Sequence, residues 1–166
     1  MRILGIDPGT ATTGYGVVED GSGGELATVS YGTILTPAGI PLEKRLLTIF
    51  EELNKIILLH QPQAAAVEKL FFYKNVTTAM SVGQARGVVV LCFAQAGLSI
   101  GEYTPLEVKQ AVTGYGNAEK KQVQEMVKIL LKMDMLPKPD DAADALAVAI
   151  CHHHHQRYTQ LTGEIR

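Results

Sequence analysis

At 166 residues the chain is long enough for one domain with a substantial core and short for two. Its 46% hydrophobic and 19% charged residues exclude a disordered or collagen-like protein. A net charge of −2 argues against a simple polyanion binder, yet residues 53–138 hold ten Lys/Arg against six Asp/Glu and the remainder five against eleven.

In chain order, residues 2–7 form a short apolar run that closes on Asp7, and Pro8-Gly9 then turns the chain. Residues 12–19 and 26–35 are two further β-rich runs, so an antiparallel meander of three strands is expected. Pro41 suits a first helical turn. After it Leu42, Leu46, Ile49, Phe50, Leu53, Ile56 and Ile57 recur at spacings of three and four, an amphipathic helix that Gln61-Pro62 stops. Residues 64–68 form a short buried strand ending on Glu68.

Residues 77–97 are rich in Ala, Val, Leu and Gly and predict a largely buried helix, with Gly83 and Gly87 opening a face to another backbone. Residues 98–103 are a fifth strand. Thr104-Pro105-Leu106-Glu107 is a capping box that starts a helix. Asn117 is placed to cap the next helix, which is expected to reach about Met135 before Pro137 and Pro139. Asp140 or Asp141 then caps a final Ala-rich helix running into His152–His155, expected as a solvated helix end, with a flexible tail from about 156 to 166. The order βββ-α-β-α-β-α-α-α predicts one α/β domain over 1–166, a mixed five-stranded sheet flanked by helices.

Cys92 and Cys151 share no CxxC spacing and sit in apolar contexts, as reduced, buried thiols would. The start of the chain lacks a signal-peptide pattern, and no apolar run approaches the ~18 residues of a membrane span. A soluble cytoplasmic protein without a membrane partner is expected.

Asp7 and Glu68 each end a short apolar strand, and adjacent strands would set them side by side. Asp141 and Asp144 share one face at the start of a helix. Like charges so close repel unless cations lie between them. Oxygen ligands without interleaved His or Cys favour hard ions, Mg²⁺ or Mn²⁺. Two such ions roughly 4 Å apart suit phosphodiester hydrolysis. The competing reading is that Asp141 and Asp144 merely favour the helix dipole. After Glu68, Phe71-Phe72-Tyr73-Lys74 offers rings that stack on unpaired bases and a cation for phosphate. Phe72 and Tyr73 serve equally as packing residues, and Arg86 as either a DNA contact or an intraprotein ion pair.

Gly5-Ile6-Asp7-Pro8-Gly9, the segment from Ala66-Val67-Glu68 to Gly83-Gln84-Ala85-Arg86-Gly87, and Asp141-Ala142-Ala143-Asp144-Ala145-Leu146-Ala147 resemble the RuvC family of bacterial Holliday-junction resolvases. Thr113-Gly114 and Asn117-Ala118-Glu119-Lys120 extend the likeness over nearly the whole chain. The resemblance implies a ribonuclease-H-like fold and a homodimer that makes paired Mg²⁺-dependent nicks in a four-way DNA junction, beside the RuvA–RuvB branch-migration complex. It implies Asp7, Glu68, Asp141 and Asp144 as metal ligands, Phe71 as a wedge into the junction, and Lys109 and Lys120 near phosphates. Asp140 directly precedes Asp141, and the Asp-Ala-Ala-Asp register selects Asp141. The helix with Gly83 and Gly87 is the candidate dimer face. Two alternatives share the opening strand: a non-catalytic junction-binding module of the same fold, and an actin-like ATPase, for which the chain is too short.

Overall fold

Short apolar and β-rich runs give five strands, and the three-and-four spacings give helices such as the one after Pro41. The computed structural model describes residues 1–21, 24–69 and 76–163, the side chains of 76–78 excepted. The elements are β1 (Arg2–Asp7), β2 (Thr12–Asp20), β3 (Leu26–Leu35), α1 (Leu42–His60), β4 (Ala64–Glu68), α2 (Val76–Gln95), β5 (Ser99–Tyr103), α3 (Pro105–Thr113), α4 (Lys120–Leu130) and α5 (Asp140–Thr162). The strands form one sheet in the order β3-β2-β1-β4-β5. β2 pairs antiparallel with β1 and β3, whereas β4 pairs parallel with β1 and β5. The mixed five-stranded sheet expected from the sequence is therefore present.

Strand alternation divides the core into two layers. Leu4, Ile6, Val17, Ala65 and Val67 pack against Ile49 and Leu53 of α1 and Val89 and Phe93 of α2. Ile3, Val18, Ala64 and Ala66 face the other way, toward Val108 of α3, Val127 of α4 and the long buried run of α5. Full burial of a side chain such as Leu53 or Phe93 contributes about 1.5–3 kcal/mol.

α5 lies unusually close to β1 and β2. A Cβ at Gly5 would fall 2.7 Å from the Ala149 backbone nitrogen, and one at Gly14 would collide with the Asp141 carbonyl. Bare strand backbone and the small residues Ala142, Ala145 and Ala149 let the helix axis drop onto the sheet, and so fix where its acidic first turn ends up.

Several element details differ from expectation. α2 buries Ala85, Val89, Cys92 and Phe93 but leaves Met80 and Leu91 exposed, so it is a one-sided helix. α4 ends at Leu130, because Lys132 adopts a left-handed φ of 51° and redirects the chain. Its N-terminal bond comes from Glu119, whose backbone N–H donates to Gln122 Oε1 at 2.8 Å; Asn117 lies before it in a turn. Pro139 stands at the cap of α5, with Asp140 and Asp141 inside its first turn.

The largest correction concerns the histidines. His152 and His153 are 6% and 2% exposed, in the middle of a helix that continues to Thr162 over most of the expected tail. The Tyr103 hydroxyl and His152 Nδ1 share a hydrogen bond of 2.8 Å, and His153 Nε2 lies 3.3 Å from Asp20. Desolvation, with the charges of His155 and His153, pushes the His152 imidazole down to about 4. Both cysteines are free and buried, as expected. No described helix is long and apolar enough to cross a membrane.

Candidate active site

Strand parity decides where the two strand-end acids point. Asp7 shares the parity of Ile3 and Gly5, and Glu68 that of Ala64 and Ala66, so both face the α5 layer. β1 and β4 run parallel with Ile6 opposite Val67, and one further step in that register brings Asp7 beside Glu68. The close seat of α5 on Gly14 delivers Asp141 and Asp144 to the same corner. Four acids from three separated segments therefore converge.

Their charges register one another. Burial first, and then the charges of Glu68, Asp144 and Asp141, push the Asp7 carboxyl up to about 7, with Lys120 opposing. Glu68 is raised by desolvation and by Asp144, against the pull of Lys109. Asp144 is raised by desolvation, opposed by its hydrogen bond and ion pair with Lys120. Asp140 is absent from the charges acting on Asp7, and its side chain is 61% exposed. Of the two adjacent aspartates, Asp141 is the one that reaches Asp7.

Lys120 Nζ lies 3.0 Å from Asp144 Oδ2 and 3.4 Å from Asp140 Oδ2. Half-exposed pairs of this kind contribute at most about 1 kcal/mol to stability, so their importance is local charge rather than folding. A cleft of about 270 Å³ opens beside them, lined by Glu68, Asp144, Lys109 and Lys120 over an apolar floor of Val108 and Val123. Carboxylates and ammonium groups thus share one depression.

Arg86 takes the intraprotein course. Its Nη2 pairs with Glu102 at 2.6 Å, and its Nε donates to the Glu68 backbone carbonyl at 3.3 Å. α2 thereby braces the end of β4. Phe71 and Lys74 lie outside the described residues.

The donors suit a hard divalent ion: they are oxygens only, and burial together with their mutual repulsion raises the Asp7 carboxyl to about 7, a strain that a cation between them would relieve. Among the described residues, however, no three Asp, Glu, His or Cys side chains stand close enough to grip an ion as they are. The acids share a field without forming a closed cage.

The sequence reading missed the polar support of the turn after Asp7, where Thr13 donates to the Gly9 carbonyl at 2.7 Å and Arg45 binds Thr36 at 2.8 Å. A threonine ending a strand and an arginine on a helix face carry no periodic signal. The strand glycines did carry one, since Gly inside a strand marks close backbone approach.

Comparison with known proteins identifies the family and the fold. The family described as "Crossover junction endodeoxyribonuclease RuvC" matches residues 3–152. The crossover junction endodeoxyribonuclease RuvC of Brevibacillus brevis is 54% identical over 166 residues, covering 100% of this chain and 99% of that protein. Its counterpart in Chloroflexus aggregans is 60% identical over 152 residues, 92% of each chain. The structure of T. thermophilus RuvC in complex with Holliday junction substrate superposes with a TM-score of 0.87 at 32% identity, covering 95% of this chain and 96% of that one. The yeast mitochondrial Holliday junction resolvase Ydc2 shares the fold at a TM-score of 0.69 and 14% identity.

Proposed function

The chain belongs to the RuvC family of crossover junction endodeoxyribonucleases, and on that premise we propose that it resolves Holliday junctions through Asp7, Glu68, Asp141 and Asp144. It is an endonuclease of ribonuclease-H-like fold that acts on four-way DNA in recombination and repair. The observation that carries the residue assignment is the convergence of four mutually repelling carboxylates on one corner of the sheet, beside a cleft lined by two lysines.

The four carboxylates would hold the divalent ions of a metal-dependent nuclease, with Mg²⁺ the fitting choice and Mn²⁺ a substitute. When bound, such ions supply an activated water and stabilise charge on the leaving oxygen. The chain's own residues do the rest. β1 and β4 hold Asp7 and Glu68 on rigid, fully buried strands. α5 sets Asp141 and Asp144 against them. Lys109 and Lys120 give the cleft positive charge that attracts the scissile phosphate, and Lys120, now paired with Asp144, would be available to a phosphate wherever Asp144 held an ion instead.

Phe71 and Lys74, in the segment directly after Glu68, complete the DNA surface: Phe71 wedges between unpaired bases and Lys74 neutralises phosphate. Arg86, tied to Glu102, contributes less to DNA binding than Lys109 and Lys120. Paired cuts require two sites, and the exposed stripe of α2 carrying Met80, Gly87 and Leu91 is the face on which a second copy would pack. Family membership supports a dimer that works in the cytoplasm beside the RuvA–RuvB complex.

Incubation with a synthetic mobile junction, a linear duplex and a nicked duplex, with and without Mg²⁺, tests the reading. Symmetric nicks in the junction alone, and only with the ion, are expected. Junction binding without cutting under all ionic conditions would instead establish the non-catalytic module.

A further inference from the structure

Three consecutive carbonyl oxygens in the turn after Asp7 are held from the protein side. The Gly9 carbonyl accepts from Thr13 Oγ1 at 2.7 Å, the Thr10 carbonyl from the Thr36 hydroxyl, and the Ala11 carbonyl from the Thr36 backbone N–H at 3.0 Å. Thr13 is fully buried and Thr36 is 6% exposed. Arg45, reaching across from α1, donates its Nε to Thr36 Oγ1 at 2.8 Å.

This chain of bonds has one polarity. A guanidinium only donates, so the Thr36 oxygen accepts from Arg45 and its single proton is directed onto Thr10. In a trans peptide the carbonyl and the following N–H point in opposite directions. Pinning the Gly9 and Thr10 carbonyls inward therefore turns the Thr10 and Ala11 N–H groups outward, and neither donates to another described residue. Two unengaged amides close to the end of the strand that carries Asp7 are donors available to an anionic oxygen.

We propose that Arg45 and Thr36 are positioning residues for strand cleavage: they fix the turn so that the Thr10 and Ala11 amides face the phosphate being cut and Asp7 stays in register with it. This rests on the endonuclease reading above. Loss of the bond to Thr10 lets the Thr10–Ala11 peptide rotate, and a displacement of about 1 Å at a reacting phosphate costs up to about 100-fold in rate.

The test combines single-turnover cutting of a synthetic four-way junction, junction affinity without divalent ion, and thermal denaturation, for wild type, Thr36→Val, Thr36→Ser and Arg45→Ala. Thr36→Val and Arg45→Ala are expected to cut bound junction about 10- to 100-fold more slowly at near wild-type affinity, and Thr36→Ser to restore the rate. Arg45 is only half-buried, so its variant reports on the device even if Thr36→Val fails to fold. Wild-type rates for bound junction in Arg45→Ala, or a Thr36→Ser variant as slow as Thr36→Val, overturn the proposal. Lower stability with a normal rate for the bound fraction assigns both residues a purely structural part and overturns it too. A wild-type protein that fails to cut contradicts the endonuclease reading instead.

Discussion

Asp7→Asn should make the metal-free protein more stable at neutral pH while it abolishes cutting. Burial and three neighbouring carboxylates push Asp7 from the ordinary aspartate range up to about 7. In the unfolded chain it titrates near its usual value, so between pH ~4 and ~7 the native state binds more protons than the unfolded one. Stability from this group is therefore present in acid and is lost as pH rises through that window. A gap of about three decades corresponds to up to about 4 kcal/mol against the ionised native state, and relaxation among the coupled acids reduces it to about 2. Asparagine keeps the shape and removes the charge. For a chain of this length, about 2 kcal/mol is a rise in Tm of about 4–8 °C. Thermal denaturation in EDTA at pH 8 and pH 5 measures it: the gain should be large at pH 8 and shrink at pH 5, where wild-type Asp7 is mostly protonated. An equal or lower Tm for Asp7→Asn at pH 8 would show that the four acids do not strain one another as described.

Gly5→Ala should lower the urea midpoint by the equivalent of about 1–3 kcal/mol, because the new methyl meets α5 backbone; an unchanged midpoint would mean that α5 is free to lift. Phe71→Ala should slow cutting of intact junctions more than cutting of already opened ones, and equal losses on both would remove its wedge role. His152, buried against Tyr103, should show NMR shifts that stay neutral down to about pH 5, with stability falling as acidification forces a proton onto it; a titration near 6.5 would contradict its burial.

The sheet, the order of its elements and the strand-end acids were legible because each rests on a local signal. Short continuous apolar runs made β1 and β4, and the charged residue closing each run stood out as costly to bury. The choice between Asp140 and Asp141 was different: both fit a helix face shared with Asp144, and only the depth to which α5 sinks onto Gly14 brings Asp141 to Asp7. His152 and His153 misled because four consecutive polar residues look like a solvated end, whereas tertiary contacts from Tyr103 and Asp20 give two of them interior partners. Arg86 kept two readings in sequence, and Glu102, on a strand distant from it in the chain, is what engages it. Such partners come from topology, which residue spacing does not encode.

The most direct measurement of the central claim is single-turnover cutting of a four-way junction by Asp7→Asn, Glu68→Gln, Asp141→Asn, Asp144→Asn and Asp140→Asn, with junction binding followed in parallel. The four-carboxylate site predicts loss of Mg²⁺-dependent cutting by about 1,000-fold or more in the first four at retained binding, and near wild-type cutting by Asp140→Asn. Efficient cutting by any of the first four, or inactivation by Asp140→Asn with Asp141→Asn still active, would contradict it.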